Sequence, residues 1–440
     1  HKAAVEAFRK TGMGRSINER PSPLDGTFYH KASNRHYVIA GGVLSRHQQN
    51  AAGEKINQLE RSITLAIGSG NHAITYAHRT EQGRLFELPI SWYANERAYA
   101  MSPGYDRSDH FDTRREISES CLFCHSNGAQ PKPIDCERCH GDTSAHLRNP
   151  QKGNITRTSS IDTCLQCHLE TSSNRFPDSL RQPNREVFSY RPGEPLANYK
   201  QYFAPPKDDR FEINHAGYRL LQSKCFRESN GRLTCVTCHD PHTAKGKQNT
   251  CQQCHARPHT TEDCTPCHMP KRVTADAIHV SMTDHKIERR PTFTNPTRED
   301  HTPYTGVLTN FYTPANPAAV ERINAREPSI PQLQNFLTAN PKDQALWAAL
   351  GNALLRAGRR LWKAGQRGLL FGKGAISHET LYRYDSPVRH STQYLRLTPH
   401  NGRGQHILNW QLDLPASARC STDSYGNILH VLTLDYPHQE

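Results

Sequence analysis

Six C-x-x-C-H motifs within 148 residues, a hydrophobic fraction of only 35% and alternating apolar stretches towards both ends together predict a multihaem c-type fold class. Its centre is expected to be a haem-packed core of short helices and long loops. A β-rich N-terminal module precedes that core, and a partial helical hairpin and a β-rich segment follow it. The chain has 440 residues, enough for several domains of ordinary size. At a mean hydropathy of −0.80 it holds too little apolar material for side chains alone to fill its core.

Twelve of the fourteen cysteines form the pairs Cys121/Cys124, Cys136/Cys139, Cys164/Cys167, Cys235/Cys238, Cys251/Cys254 and Cys264/Cys267. These are motifs 1 to 6. Histidine follows each pair at once, as His125, His140, His168, His239, His255 and His268. Histidine takes about 6% of positions, so six chance matches in six would arise on the order of once in 10⁷ to 10⁸ trials. Two intervening residues put both sulfurs on one side of a short helical turn, where each forms a thioether with a vinyl group of one porphyrin. The next residue turns its imidazole to the iron. Zinc ribbons also use paired C-x-x-C but have no use for a histidine after every pair, and a disulfide framework leaves the histidines equally unexplained. The cofactor expected is haem c, six per chain. Its attachment takes place after export, so a periplasmic or extracellular location follows. There the leftover Cys225 and Cys420 meet an oxidising solvent in which a disulfide is their ordinary fate.

Along the chain, residues 1–115 read as the β-rich module. Stretches 36–39, 73–79 and 85–93 are β-branched or aromatic, Glu81-Gln82-Gly83 reads as a hairpin turn, and 2–10 is a short helix ahead of Thr11-Gly12-Met13-Gly14. Residues 116–290 hold the six motifs, whose starts are separated by 15, 28, 71, 16 and 13 residues. At about 25 residues per motif the haems must nearly touch. Residues 291–330, rich in Pro, Thr and Asn, read as a linker or extended wrap. Segment 331–358 reads as two helices broken at Asn340-Pro341, and Trp347-x-x-Leu350-Gly351-x-x-Leu354 matches the first half of a tetratricopeptide repeat. Residues 359–375, rich in Gly, Arg and Lys, read as a junction. From 376 to 440 alternation returns at 378–384, 393–397, 406–414 and, after a Tyr425-Gly426-Asn427 turn, 428–434. No run of about eighteen apolar residues occurs, so no transmembrane helix is expected.

With these motifs in place, residues 1–290 and 331–357 resemble the periplasmic or extracellular multihaem c-type cytochromes that carry tetratricopeptide repeats. The resemblance lies in Thr11-Gly12-Met13-Gly14-Arg15-Ser16, Gly68-Ser69-Gly70-Asn71-His72 and Ser102-Pro103-Gly104-Tyr105-Asp106. It continues in Cys136-Glu137-Arg138-Cys139-His140-Gly141, Cys238-His239-Asp240-Pro241-His242 and Cys267-His268-Met269-Pro270 through Thr283-Asp284-His285. In similar proteins a further C-x-x-C-H lies just before the segment matching Met13-Gly14-Arg15-Ser16. His1 is therefore expected either as the ligand of a truncated seventh haem or as a processed N-terminus. Residues 376–440 resemble a second family, the N-terminal β-domain of bacterial transglutaminase-like proteins, through Ser377-His378-Glu379-Thr380 and Leu395-Arg396-Leu397-Thr398-Pro399. That segment lacks the family's catalytic domain, and Cys420 in it is no candidate nucleophile.

Each iron's role depends on its sixth ligand: two histidines close it for electron transfer, and an open site binds substrate. Outside the motifs, 14 histidines remain in residues 1–301. His242, following Cys238-His239-Asp240-Pro241, and His146, six residues after His140, stand as distal ligands do in tightly packed multihaem proteins. By resemblance His72, His259 and His285 join them, with His78, His279 and His110 behind; for any of these the plain alternative is a surface or propionate-bonding histidine. Met13, Met269 and Met282 read as gap fillers beside a porphyrin. No catalytic residue is identified.

Three functions compete. The favoured one is electron transfer along a row of mostly bis-histidine haems, with redox proteins or an extracellular acceptor as partners and with self-association continuing the row. The others are a nitrite- or hydroxylamine-type multihaem oxidoreductase with one open haem, and a tetratricopeptide interaction scaffold. The net charge of +13 suggests a nucleic-acid partner at first, but twelve propionates on six haems nearly cancel it and no polybasic run exists, so none is expected.

Overall fold

The computed structural model describes the chain except for residues 1, 113–114, 151–154, 157–159, 171–177, 184, 244–245, 248–249, 256–262, 326–328, 340–345, 348, 355–385, 396, 399–409, 423–427 and 439–440. It forms two compact units, His1–Arg326 and Glu327–Glu440.

The first unit begins with the expected short helix, Lys2–Arg9. Nine strands follow: β1 (Ile17–Asn18), β2 (Gly26–His30), β3 (Arg35–Ala40), β4 (Val43–Gln49), β5 (Lys55–Ser62), β6 (Leu65–Ile67), β7 (Ala73–Arg79), β8 (Leu85–Tyr93) and β9 (Ala98–Met101). They make two antiparallel sheets, a meander β2-β3-β4-β5 and a five-stranded sheet in the order β1-β6-β7-β8-β9. Tyr37, Ile39 and Leu44 from the meander and Leu88, Ile90, Tyr99 and Met101 from the other sheet share one buried cluster, so the module is a two-layer sandwich. Strands β7 and β8 occupy the expected bounds. Their turn closes through Gly83 N–H to the Thr80 carbonyl (2.9 Å), with Gly83 at φ +80°. β8 is apolar on both faces for a reason. One face meets the meander, while Leu85 packs on Leu122 of motif 1 and Tyr93 on Ala277 and Val280. The polar β5 escaped sequence reading because most of its side chains face solvent and give no apolar alternation.

The motif region is built from short helices and two small sheets. β10 (Ser179–Arg181) pairs with β11 (Lys200–Ala204), and β12 (Lys271–Val273) forms a hairpin with β13 (Ser281–Thr283). Its one sizeable apolar cluster gathers Phe123 of motif 1, Leu165 of motif 3, Tyr199, Tyr202 and Leu221. Gly217 lets the helix Ala216–Gln222 lie directly on motif 3: a Cβ there would stand 2.5 Å from the His168 carbonyl oxygen. The Pro-rich segment is the extended wrap rather than a free linker. β14 (Thr309–Asn310) adds to β11, and the Asn316-capped helix Pro317–Asn324 buries Ile323 with Leu308 against Phe203.

In the second unit the helix Ile330–Ala339 packs Leu333 and Leu337 on Leu346 and Leu350, as a single helical hairpin would, and Trp347 stays 55% exposed. β15 (Ser391–Leu395), β16 (Ala418–Thr422) and β17 (Ile428–Leu434) form a sheet in the order β15-β17-β16. The 428–434 strand is as expected, that at 393–397 begins two residues earlier, and β16 was not anticipated. Of the stretch expected at 406–414, residues 410–414 form no strand. Asn340-Pro341, the junction 359–375, the stretch 378–384 and the turn Tyr425-Gly426-Asn427 lie outside the described residues. Among the described residues, no helix is long and apolar enough to cross a membrane.

Candidate metal centre

Every motif sits on a short helical turn: Glu119–His125, Glu137–His140, Asp162–His168, Cys235–Cys238, the 3₁₀ turn Cys251–Gln253, and Thr265–His268. Polar residues just ahead of the motifs start these turns, as when Asp135 accepts from the Glu137 amide (3.0 Å) and Asp263 from the Thr265 amide (3.0 Å). In motifs 2, 4, 5 and 6 the histidine amide then donates to the carbonyl of the first cysteine, at 2.9, 2.9, 2.9 and 3.1 Å. That bond brings both sulfurs and the imidazole to one side of the turn, the arrangement inferred from the spacing.

Motif 5 is the most open of the six. Cys254 is exposed, and so are Cys251 and His255. Its turn is 3₁₀ and ends at Gln253, so Cys254 stands just past it, its amide donating to the Cys251 carbonyl (3.2 Å), and the three-residue winding eclipses Cys254 with Cys251. The neighbour of Cys254 is motif 4, where its thiol raises the pKa of Cys238 after burial has done so. Cys136 of motif 2 and Cys267 of motif 6 are exposed as well, so the motif region is open at its margins.

The imidazoles are held in one tautomer by the backbone. His140 Nδ1 donates to the Thr156 carbonyl (2.8 Å), His268 Nδ1 to Glu288 (2.8 Å) and His285 Nδ1 to Thr283 (3.0 Å). A carbonyl only accepts, so Nδ1 carries the proton and Nε2 is left as the metal-facing nitrogen. His125 and His168 are solvent-accessible, yet desolvation lowers the pKa of both.

The distal candidates fall into distinct settings. The His242 ring stands 6.1 Å from that of His140 with planes 11° apart, and the His285 ring 6.2 Å from that of His239 at 36°. His72 shares a cavity of about 150 Å³ with His285, Phe211 and Met282; burial and then Lys271 lower its pKa. His78, buried on β7, has an Nε2 with no hydrogen-bond partner among the described residues. His279 gives Nδ1 to Glu96 (2.7 Å), and His146 sits half-buried on the helix Ser144–Arg148. His110 departs from expectation. Both of its nitrogens are engaged, with the Arg107 carbonyl (2.6 Å) and the Tyr37 hydroxyl (2.7 Å), so its ring serves the β-module and has no nitrogen left for iron. His1 and His259 lie outside the described residues.

Sequence reading missed the groups that hold these ligands. Asp284, next to His285, receives Arg219 through two bonds (2.9 and 2.8 Å) and Arg272 through a third (2.7 Å), and Arg219 is only 1% exposed. The Thr283-Asp284-His285 triplet was its only visible trace. The motifs also touch one another. Gln166 of motif 3 donates to the Arg138 carbonyl of motif 2 (3.3 Å), and Cys167 lies 3.8 Å from the Phe123 carbonyl of motif 1. Thiol contacts run between motifs: Cys167 raises the pKa of Cys124, and Cys235 that of Cys164. Among the described residues no disulfide joins two cysteines, and no group of three or more His, Cys, Asp or Glu could hold a bare metal ion.

Residues 375–440 match the bacterial transglutaminase-like N-terminal region. This transglutaminase-like segment contains β15–β17, with Cys420 exposed on β16. A solved structure, the outer cell wall cytochrome OcwA, is similar to the chain at 18% identity and a TM-score of 0.36, over 60% of this chain and 65% of that one. The chain thus spans just under two-thirds of that cytochrome's length. No curated protein matches the sequence.

Proposed function

We propose that the protein is an exported electron carrier that holds a c-type haem at each of its six motifs. The observation that carries this reading is the repeated unit itself: C-x-x-C-H six times, on helical turns, with Nδ1 of His140 and of His268 tied to backbone carbonyls. Bound there, haem iron supplies a one-electron couple, ferric to ferrous. The chain does the rest. Twelve cysteines anchor the groups, the carbonyls of Thr156 and Glu288 keep His140 and His268 aimed, and Arg138, Phe123 and Gln166 pack motifs 1, 2 and 3 together. Its partners are redox proteins or an extracellular acceptor, and no catalytic residue is assigned.

The test is intact mass together with pyridine haemochrome, on protein exported from cells that mature c-type cytochromes. Six covalent haems per chain, wholly low-spin and indifferent to nitrite, are expected. A chain without covalent haem, or one whose as-isolated spectrum shifts with nitrite, overturns the carrier reading.

A further inference from the structure

The two pairs of facing imidazoles carry the haem reading further, and this inference rests on it. We propose that His140 and His242 are the two axial ligands of the motif 2 haem, and His239 and His285 those of the motif 4 haem. Residues 235–242 then serve two haems at once.

Ring separation is the first argument. Metal–imidazole bonds measure about 2.0–2.1 Å and a ring centre lies about 1.1 Å behind its nitrogen, so two imidazoles on opposite sides of one iron have centres about 6.3 Å apart. The observed 6.1 and 6.2 Å match. The stacked pair His36 and His47, cross-strand partners on β3 and β4, sits closer, at 5.0 Å and 9°. The two proposed pairs are held about 1 Å wider than that contact.

Ligand fixation is the second. In the motif 2 pair, His140 gives Nδ1 to Thr156. His242 is set by a turn in which its amide and the Thr243 hydroxyl both donate to Asp240, at 3.0 and 3.1 Å. In the motif 4 pair, His285 gives Nδ1 to Thr283 and follows the Asp284 anchor that Arg219 and Arg272 clamp. The local chain explains how one segment faces two ways. His239 is extended at φ −114°, ψ +146°, and Asp240 precedes a proline, which disfavours continuation of the helix. The helical turn therefore stops at Cys238, and His242 leaves in a different direction from His239.

The experiment uses the full, haem-loaded chain. His242→Ala and His285→Ala should each keep six haems by pyridine haemochrome. Each should turn about one-sixth of the low-spin electron paramagnetic resonance signal high-spin, and added imidazole should restore it. Pairing is read by removing motif 2 with Cys136→Ala and Cys139→Ala. On that five-haem chain His242→Ala should produce no high-spin iron, and His285→Ala should still do so. If the five-haem chain does not accumulate, the single variants decide. Six haems that stay fully low-spin in either variant, or high-spin iron from His242→Ala after loss of motif 2, overturn the pairing. A wild-type chain without covalent haem instead overturns the underlying reading, so the two failures are distinct.

Discussion

Strand β8 and the turns of motifs 4, 5 and 6 come from one compact unit and bury their residues very differently. Seven of the nine residues of β8 are buried, whereas none is in the turns Cys235–Cys238, Cys251–Gln253 and Thr265–His268. β8 is sealed by side chains from two directions, so its sequence must be apolar almost throughout. The motif turns pack few of their side chains, and their sequence keeps only two cysteines and a histidine in register. The β-module thus holds itself together by packing. The motif region leans on hydrogen bonds and ion pairs.

Substitutions that strike one support at a time test that contrast. The largest effect belongs to Asp284→Ala, which leaves the buried Arg219 and Arg272 with only the half-exposed Asp209 as a shared carboxylate and should cost about 3–5 kcal/mol. Guanidinium unfolding of the haem-loaded protein, followed at the Soret band, reads this; a loss under about 1 kcal/mol would mean that the ion network does not support the motif region. Next, Leu88→Ala opens a cavity in the sandwich and should cost about 3 kcal/mol with haem content unchanged. Intact mass is the check, and loss of haem would show that the two regions are not independent.

Glu87 comes third. Burial pushes its carboxyl up to about 7 despite Arg115 at 2.7 Å, because Arg115 is itself 43% exposed and offsets only part of the desolvation. The folded state then keeps a proton that the unfolded chain releases above about 4.5. The group's stabilisation is full below that pH and is lost as pH rises through 7, an effect on the order of 3 kcal/mol. Glu87→Gln should flatten this slope in the difference between the two Tm-against-pH curves; parallel curves would place the carboxyl at its ordinary value. Smallest is Gly83→Ala, about 1 kcal/mol, since the turn needs φ +80° although there is room for a methyl group. Gly83→Asn should recover part of it in the same melts.

Much of this molecule could be read from the sequence where the physics is local. The cysteine-histidine spacing set the motif turns, because thioether and imidazole geometry is decided within five residues. Spacing could not say which turns are enclosed: Cys254 and Leu165-flanked Cys164 sit in identical motifs, yet only the first is exposed. Alternation and a Gly turn set β7 and β8 to the residue. The short or polar strands β1, β5 and β16 escaped, since a strand paired on one side and solvated on the other leaves little apolar signal. Among the histidines, context singled out His242, His285 and His110 alike; the first two stand near the rings of His140 and His239, and the nitrogens of His110 meet Tyr37 and Arg107.

The sequence by itself determined the six C-x-x-C-H motifs and the short helical turns that carry them. Tertiary structure alone decided which histidines meet: His140 and His242 are 102 residues apart, and His239 and His285 are 46. It also decided what aims His140 and His285, since the acceptors for their Nδ1 are backbone carbonyls, which every residue has and no motif can mark. A facing ligand is chosen by proximity across irregular loops, and loops carry no periodicity from which that proximity could be read.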